Sequence, residues 1–285
     1  MSNKITYLPG VDIAFEKSDV VFPIGEVDIR IASNAFRKHG VVALEASADN
    51  HAAQAAFDEM YRTQASTRKI DEFNGVNFCL ESALNPDLLA VEANDTVLRI
   101  VSEILKEEPT DLVEPAILGS KLIVKDKRFE GAVFLHQDSC YQLGRRKVTG
   151  FFLLSDLRQG PLRESTVRIL VGTHKFGHLG DAGEINRDIL EENWPEFEMS
   201  LGRHSYILMD PHCWHYSNAA LLGDQVRGIY TFTYAEMGAI CSRAPGKADI
   251  INANPFTENR IFNRSRVSRI KELQAQLNSK TSADK

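Results

Sequence analysis

The chain has 285 residues, of which 43% are hydrophobic and 25% charged, proportions that exclude a mainly disordered or fibrous chain. Acidic residues outnumber basic ones by 39 to 33, giving a formal net charge of −6, so nucleic acid is not expected as a partner. No stretch approaches the roughly 20 apolar residues of a membrane span, and the first residues lack the pattern of a secretory signal. We therefore expect a cytoplasmic protein with no membrane partner.

Hydrophobic periodicity predicts helices near both ends of the sequence. Apolar residues at helical spacing occupy 53–61 and 97–105, in each case after Asn or Asp residues that suit a helix N-terminus. A third segment with this spacing covers 267–277. We therefore expect helical flanks at about 28–108 and about 258–279.

Between these flanks the pattern changes to short runs of β-branched and aromatic residues separated by turns. These runs predict strands at 117–124, 132–135, 148–154, 167–171, 205–209 and 228–234. No helical pattern separates them, which favours an antiparallel sandwich or barrel over a parallel α/β sheet. An earlier run at 40–45 predicts an edge strand, and the polar, Gly-rich segment 177–202 predicts a long insertion loop. The whole chain, 1–285, is interpreted as a single α+β domain with a mainly β core at about 112–240.

The most informative motif is His136-Gln-Asp138. Residues i and i+2 of an extended segment project to the same face, so the imidazole and the carboxylate can converge on one metal ion. A second His on a later strand, His215, would complete two His and one carboxylate, the facial triad of non-haem Fe(II) oxygenases. His212 is an alternative second ligand, disfavoured because it follows Pro211 in a predicted turn.

Arg227 lies twelve residues after His215, at the start of a predicted strand. The alternation of that strand directs the Arg227 side chain towards the interior. A buried guanidinium needs an anionic partner, which a dicarboxylate supplies through a bidentate pair.

Four segments and one residue occur in the order typical of a known family. They are Gly119-Ser-Lys-Leu-Ile-Val-Lys125, His136-Gln-Asp138, Gly172-Thr-His-Lys-Phe-Gly177, Trp214-His-Tyr-Ser-Asn218 and Arg227. This ordered set resembles the phytanoyl-CoA dioxygenase family over about residues 28–240. The resemblance implies a double-stranded β-helix, the jelly-roll or cupin-like fold, in an enzyme that uses Fe(II), 2-oxoglutarate and O2.

The resemblance also implies roles for individual residues. The metal ligands, which form the catalytic centre, are His136, Asp138 and His215. The residues expected to contact 2-oxoglutarate are Arg227, Ser217, Lys121 and Gln137. Related halogenases have a small residue in place of Asp138, so this carboxylate favours hydroxylation, desaturation or ring formation over halogenation.

The function implied is hydroxylation of an unactivated C–H of a small-molecule metabolite, with release of succinate and CO2. Two alternatives stay open. A β-barrel Zn(II) hydrolase or isomerase could use the same three ligands, although it would not need Arg227. A catalytically inactive binding protein would keep the fold with an impaired site. Neither the substrate nor the oligomeric state follows from these residues.

Overall fold

The computed structural model describes ten stretches of the chain. They are residues 15–65, 70–71, 75–78, 85–113, 115–138, 141–142, 147–177, 194–236, 241–244 and 247–249. The helix predicted at about 258–279 lies outside them. Within the described stretches, no helix is both long and apolar enough to cross a bilayer.

Within the described residues, four α-helices precede the β core and one interrupts it. They are α1 (Ile29–His39), α2 (His51–Gln64), α3 (Pro86–Glu92), α4 (Asp95–Leu105) and α5 (Gly160–Glu164). The side chains of Asn50 and Asn94 accept backbone hydrogen bonds at the starts of α2 and α4, the two helices that the sequence predicted individually. α1 and α3 lie within the predicted helical flank at about 28–108 but were not predicted individually; α1 buries Ala32, Ser33, Ala35, Phe36 and His39, and α3 has only seven residues.

The described strands form three sheets. The larger sheet has the order β1 (Val21–Pro23), β2 (Val41–Glu45), β11 (Tyr206–Met209), β8 (Lys147–Leu153), β13 (Arg227–Glu236), β5 (Pro115–Lys125), β4 (Gly75–Phe78), β3 (Ile70–Asp71). The smaller sheet has the order β10 (Glu196–Glu198), β9 (Val167–Leu170), β12 (His215–Ser217), β6 (Val133–His136). The third has the order β15 (Lys247–Asp249), β14 (Cys241–Ala244), β7 (Tyr141–Gln142). The predicted α+β fold with a double-stranded β-helix at its core is confirmed.

The larger sheet separates two hydrophobic cores because its strands alternate. On β2, Val42 and Leu44 pack among the helices, whereas Val41 and Ala43 belong to the cluster between the two sheets. Strands buried on both faces read as continuous apolar runs, as the sequence of β2 does.

Two predictions about strands and loops were wrong. β2 is not an edge strand, because β1 pairs with it in parallel and occupies the edge. The segment 177–202 is not entirely a loop, since β10 within it pairs with β9. β10 has only three residues, two of them Glu, so the composition gave no sign of a strand.

The close packing of the larger sheet against the helices generates a stability prediction at Gly150. A Cβ built at this position would fall far inside contact distance of the Phe232 ring on the neighbouring strand. We expect Gly150→Ala to lower the free energy of unfolding by about 1–3 kcal/mol, measured by chemical denaturation, because the core must shift to admit a methyl group. Gly25→Ala is the matched control, since its Cβ meets no atom within 4 Å. Equal stability of the two variants would contradict the packing.

Candidate functional site

Three potential metal ligands converge at the end of β6 and the start of β12, in the smaller sheet. His136 ends β6, His215 begins β12, and the two are direct cross-strand partners with ring centroids 4.2 Å apart. Asp138 lies two residues beyond His136, with Oδ1 3.7 Å from Nε2 of His215. One ligand atom from each of the three residues lies within 4.8 Å of the others, close enough to bind a single ion.

Backbone contacts orient both imidazoles in the same way. Nδ1 of His136 lies 2.8 Å from the carbonyl oxygen of Phe134, and Nδ1 of His215 lies 3.0 Å from that of Cys213. Because a carbonyl only accepts, each Nδ1 carries the hydrogen and donates it. Each Nε2 therefore keeps its lone pair for a metal, the arrangement typical of ligating histidines.

Asp138 is held from two sides. Its Oδ2 accepts a hydrogen bond of 2.9 Å from the Thr149 hydroxyl on β8. Its backbone N–H donates to the carbonyl of Pro211, at 3.0 Å, in the loop that leads to His215. The sequence offered no signal for Thr149, because the contact exists only once the two sheets face each other.

The electrostatics of the cluster favour neutral imidazole. Burial, reinforced by the neighbouring His215, lowers the pKa of His136 to about 4, while Asp138 acts in the opposite direction. Two neutral imidazole nitrogens with one carboxylate are a donor set that suits Fe(II) and other first-row divalent ions. The residues present thus fit a mononuclear metal centre.

A second charged group, Arg227, lies on β13 in the larger sheet. Its side chain is 2% exposed, and burial lowers its pKa to about 10. One Nη donates to the carbonyl of Ser165, and Nε has no partner within the described residues. Most of the donor capacity of this guanidinium is therefore available to a bound molecule.

Lys125, which the sequence did not single out, is the direct cross-strand partner of Arg227. It is 1% exposed, and its Nζ donates to the Gly131 carbonyl and to Oγ of Ser217, both at 2.9 Å. Burial and the charge of Arg227 lower the pKa of Lys125 to about 7. The signal that could have found it is alternation, since Lys121, Ile123 and Lys125 share one face of β5.

One cavity of about 140 Å³ joins the metal ligands to Arg227. Its walls come from both sheets, and the side chains that line it include Lys121, Ser217, Ile229 and Phe151. The structure thus brings together six of the seven residues that the sequence assigned to the site.

The seventh, Gln137, does not line the cavity. Its side-chain amide donates to the carbonyls of Gly177 and His212, at 2.8 and 2.6 Å. His212 itself lies against Asp210 and is not part of the ligand cluster. Trp214 is fully buried and also lies outside the cavity lining.

The fold and this site define a double-stranded β-helix protein with a facial two-His-one-carboxylate centre. A model of the phytanoyl-CoA dioxygenase (PhyH) family matches residues 36–227, about two thirds of the sequence. The chain belongs to this family. Together with the triad, that membership places it among the non-haem iron, 2-oxoglutarate-dependent enzymes.

Several solved structures share the fold. The carbocyclase SnoK from nogalamycin biosynthesis superposes with a TM-score of 0.60 at 15% identity, covering 78% of this chain and 89% of that one. The epimerase SnoN in complex with Fe3+, alpha ketoglutarate and nogalamycin RO gives 0.61 at 13% identity, covering 82% and 93%. HygX from Streptomyces hygroscopicus, with nickel and 2-oxoglutarate bound, gives 0.52 at 13% identity, covering 72% and 86%. No curated protein is similar enough in sequence to count as a relative of this chain.

The hydrogen bond from Thr149 to Asp138 generates a prediction about metal affinity. Thr149→Val removes the bond with little change in shape, and we expect it to weaken Fe(II) binding about 10- to 100-fold in anaerobic calorimetry. Thr63→Val, on the exposed side of α2, makes the same chemical change away from the site and serves as control. Unchanged affinity in Thr149→Val would mean that the contact does not orient the carboxylate.

Proposed function

We propose that the protein is an Fe(II)- and 2-oxoglutarate-dependent dioxygenase that hydroxylates an unactivated C–H of a small-molecule metabolite, with release of succinate and CO2. One observation carries the proposal. A two-His-one-carboxylate cluster and a buried guanidinium with free donors line the same cavity. A Zn(II) hydrolase would have no use for the second feature.

In this proposal His136, Asp138 and His215 would hold Fe(II), a donor set that leaves coordination sites open for other ligands. When bound, the iron supplies oxidative chemistry that amino-acid side chains cannot perform. The Nδ1 contacts to Phe134 and Cys213 fix the tautomer of each neutral imidazole, in which Nε2 is the atom with the lone pair. It also fixes the carboxylate through Thr149.

The separation between the proposed metal site and Ser217 suits the length of 2-oxoglutarate. Ser217 lies two residues after His215 on the same face of β12, which separates their Cα atoms by about 6.6 Å. A five-carbon dicarboxylate can bridge such a gap, with its keto-acid end at the metal and its distal carboxylate at Arg227 and Ser217. The buried Arg227 then gains the anionic partner that the described residues do not provide.

Part of the cavity wall is apolar. The apolar side chains that line it include Ile123, Val133, Val167 and Ile229. Such walls strengthen the electrostatic interactions with the co-substrate and keep the reaction on the bound substrate. A small-molecule substrate agrees with the structurally similar proteins whose titles name nogalamycin RO and hygromycin B.

The experiment that tests this function is an anaerobic titration of the protein with Fe(II) and then 2-oxoglutarate. We expect the visible charge-transfer band of an iron-bound keto acid in the wild type and its loss in Asp138→Ala. In Arg227→Met, half-saturation is expected to need about 100-fold more 2-oxoglutarate, because truncating one side of a buried charge pair costs about 2–5 kcal/mol. Arg163→Met is the control, since Arg163 is exposed and pairs with Glu198 outside the cavity.

Substrate-dependent release of succinate then identifies the substrate among candidate metabolites. Gain of one oxygen atom in the product supports hydroxylation, whereas loss of two hydrogens or an unchanged mass would redirect the proposal to ring formation or epimerisation. Tight Zn(II) binding with no charge-transfer band would favour the hydrolase alternative.

A further inference from the structure

Lys125 is a buried charge that neither the metal ligands nor the cavity lining accounts for. It is 1% exposed and is absent from the side chains that line the cavity, yet it lies directly behind two that do. Ser217 accepts its hydrogen bond, and Arg227 is its partner on the adjacent strand. Within the part of the chain that the structure describes, neither Lys125 nor Arg227 forms a salt bridge with a carboxylate.

The contact between Lys125 and Ser217 orients both the oxygen and the hydrogen of the Ser217 hydroxyl. In its protonated form the Lys125 ammonium only donates, so the Ser217 oxygen is then the acceptor of this bond. The Ser217 hydrogen is thereby excluded from the direction of Lys125 and is free to point into the cavity that Ser217 lines. Lys125 is anchored on its other side by the Gly131 carbonyl, at 2.9 Å.

We propose that Lys125 is a positioning residue for the distal carboxylate of 2-oxoglutarate: it directs the Ser217 hydroxyl to donate to that carboxylate and adds a second buried positive charge behind Arg227. The proposal rests on the proposed function and assigns the selectivity for a dianionic co-substrate to a residue that does not touch it. A structural role alone would not require a charge here, because an apolar side chain of similar length fills the same volume without the cost of burying an ammonium.

The first test is the affinity of Ni(II)-loaded protein for two keto acids, measured by calorimetry. Lys125→Met is expected to weaken binding of 2-oxoglutarate at least about 10-fold, because a hydrogen-bond network to a charged group is lost. Binding of 2-oxopentanoate, which has the same chain length without the distal carboxylate, is expected to change less than about twofold. Lys127→Met is the matched control, since Lys127 is exposed, two residues away and paired with Asp224.

The second test is a double-mutant cycle with Ser217→Ala. If Lys125 acts through the Ser217 hydroxyl, the double variant binds 2-oxoglutarate about as weakly as Lys125→Met alone. A loss equal to the product of the two single losses would overturn the positioning role. If Lys125→Met folds poorly, the uptake of protons by the wild type and by Ser217→Ala on binding 2-oxoglutarate still tests the charge on Lys125.

The third test follows the proton on Lys125. Its pKa of about 7 means that at pH 8 the amine is mostly neutral before an anion binds. Arg227, the charged group that faces it, has a pKa of about 10 and stays protonated, while Ser217 and the Gly131 carbonyl are uncharged. A carboxylate nearby raises the pKa of Lys125, so binding of 2-oxoglutarate is expected to take up about one proton. Calorimetry in buffers of different ionisation enthalpy measures this uptake, which is absent in Lys125→Met and retained in Ser217→Ala.

The outcomes separate this inference from the proposed function. If wild-type protein loaded with Ni(II) binds neither keto acid, the proposed function fails. If wild type binds 2-oxoglutarate and Lys125→Met binds it equally well, with the same proton uptake, only the role of Lys125 fails. If Lys125→Met loses both keto acids to the same extent, the residue is structural and the inference is wrong.

Discussion

Two basic side chains buried side by side, with no carboxylate partner among the described residues, are the constraint around which this site is built. Arg227 and Lys125 are opposite each other on β13 and β5, the most extensively paired strands of the larger sheet, and each is almost fully buried. Burying an uncompensated charge costs several kcal/mol, about the scale of a domain's whole stability, so such a pair persists only where the surrounding structure holds it. The same cost lowers the pKa of Lys125, because burial and the charge of Arg227 disfavour its protonated form. Binding of a dianion relieves it, which turns an unfavourable feature of the empty fold into affinity and selectivity for one class of co-substrate.

The two sheets determine how far the metal ligands lie from the buried cations. β12 carries the proposed metal ligand His215 at one position and Ser217 two positions later, so the period of the strand sets the distance between the proposed metal site and the proposed anion site. A register shift between β12 and β6 falls within this short span, yet His136 and His215 remain direct partners. Bulges of this kind are common next to active sites because they re-aim side chains without breaking the sheet. Both ends of the cavity therefore rest on strands, which hold side chains more rigidly than loops do.

The sequence predicted those features that depend on local pattern or on a recognisable ordered set of residues. Asn50 and Asn94 marked two helix starts, and the β core lay within a few residues of the predicted strands. The sequence singled out the triad His136, Asp138 and His215 because two imidazoles and a carboxylate suit a metal ion. It singled out Arg227 because a buried guanidinium needs an anionic partner. Lys125 was missed although alternation along β5 places it on the same face as Lys121, because its role depends on the pairing of β5 with β13. Thr149 was missed because its contact with Asp138 arises from sheet packing, which no local pattern encodes. The position of β2 was misjudged for the same reason, since its outer neighbour β1 is only three residues long.

The side chains of the proposed site differ in exposure. The Asp138 side chain is 35% exposed, whereas His215, Ser217 and Arg227 are 5%, 1% and 2% exposed. The structurally similar proteins, at 13–15% identity, include enzymes named as a carbocyclase and an epimerase. One fold therefore carries reactions with different names, so the reaction is decided by the residues of the site and not by the fold.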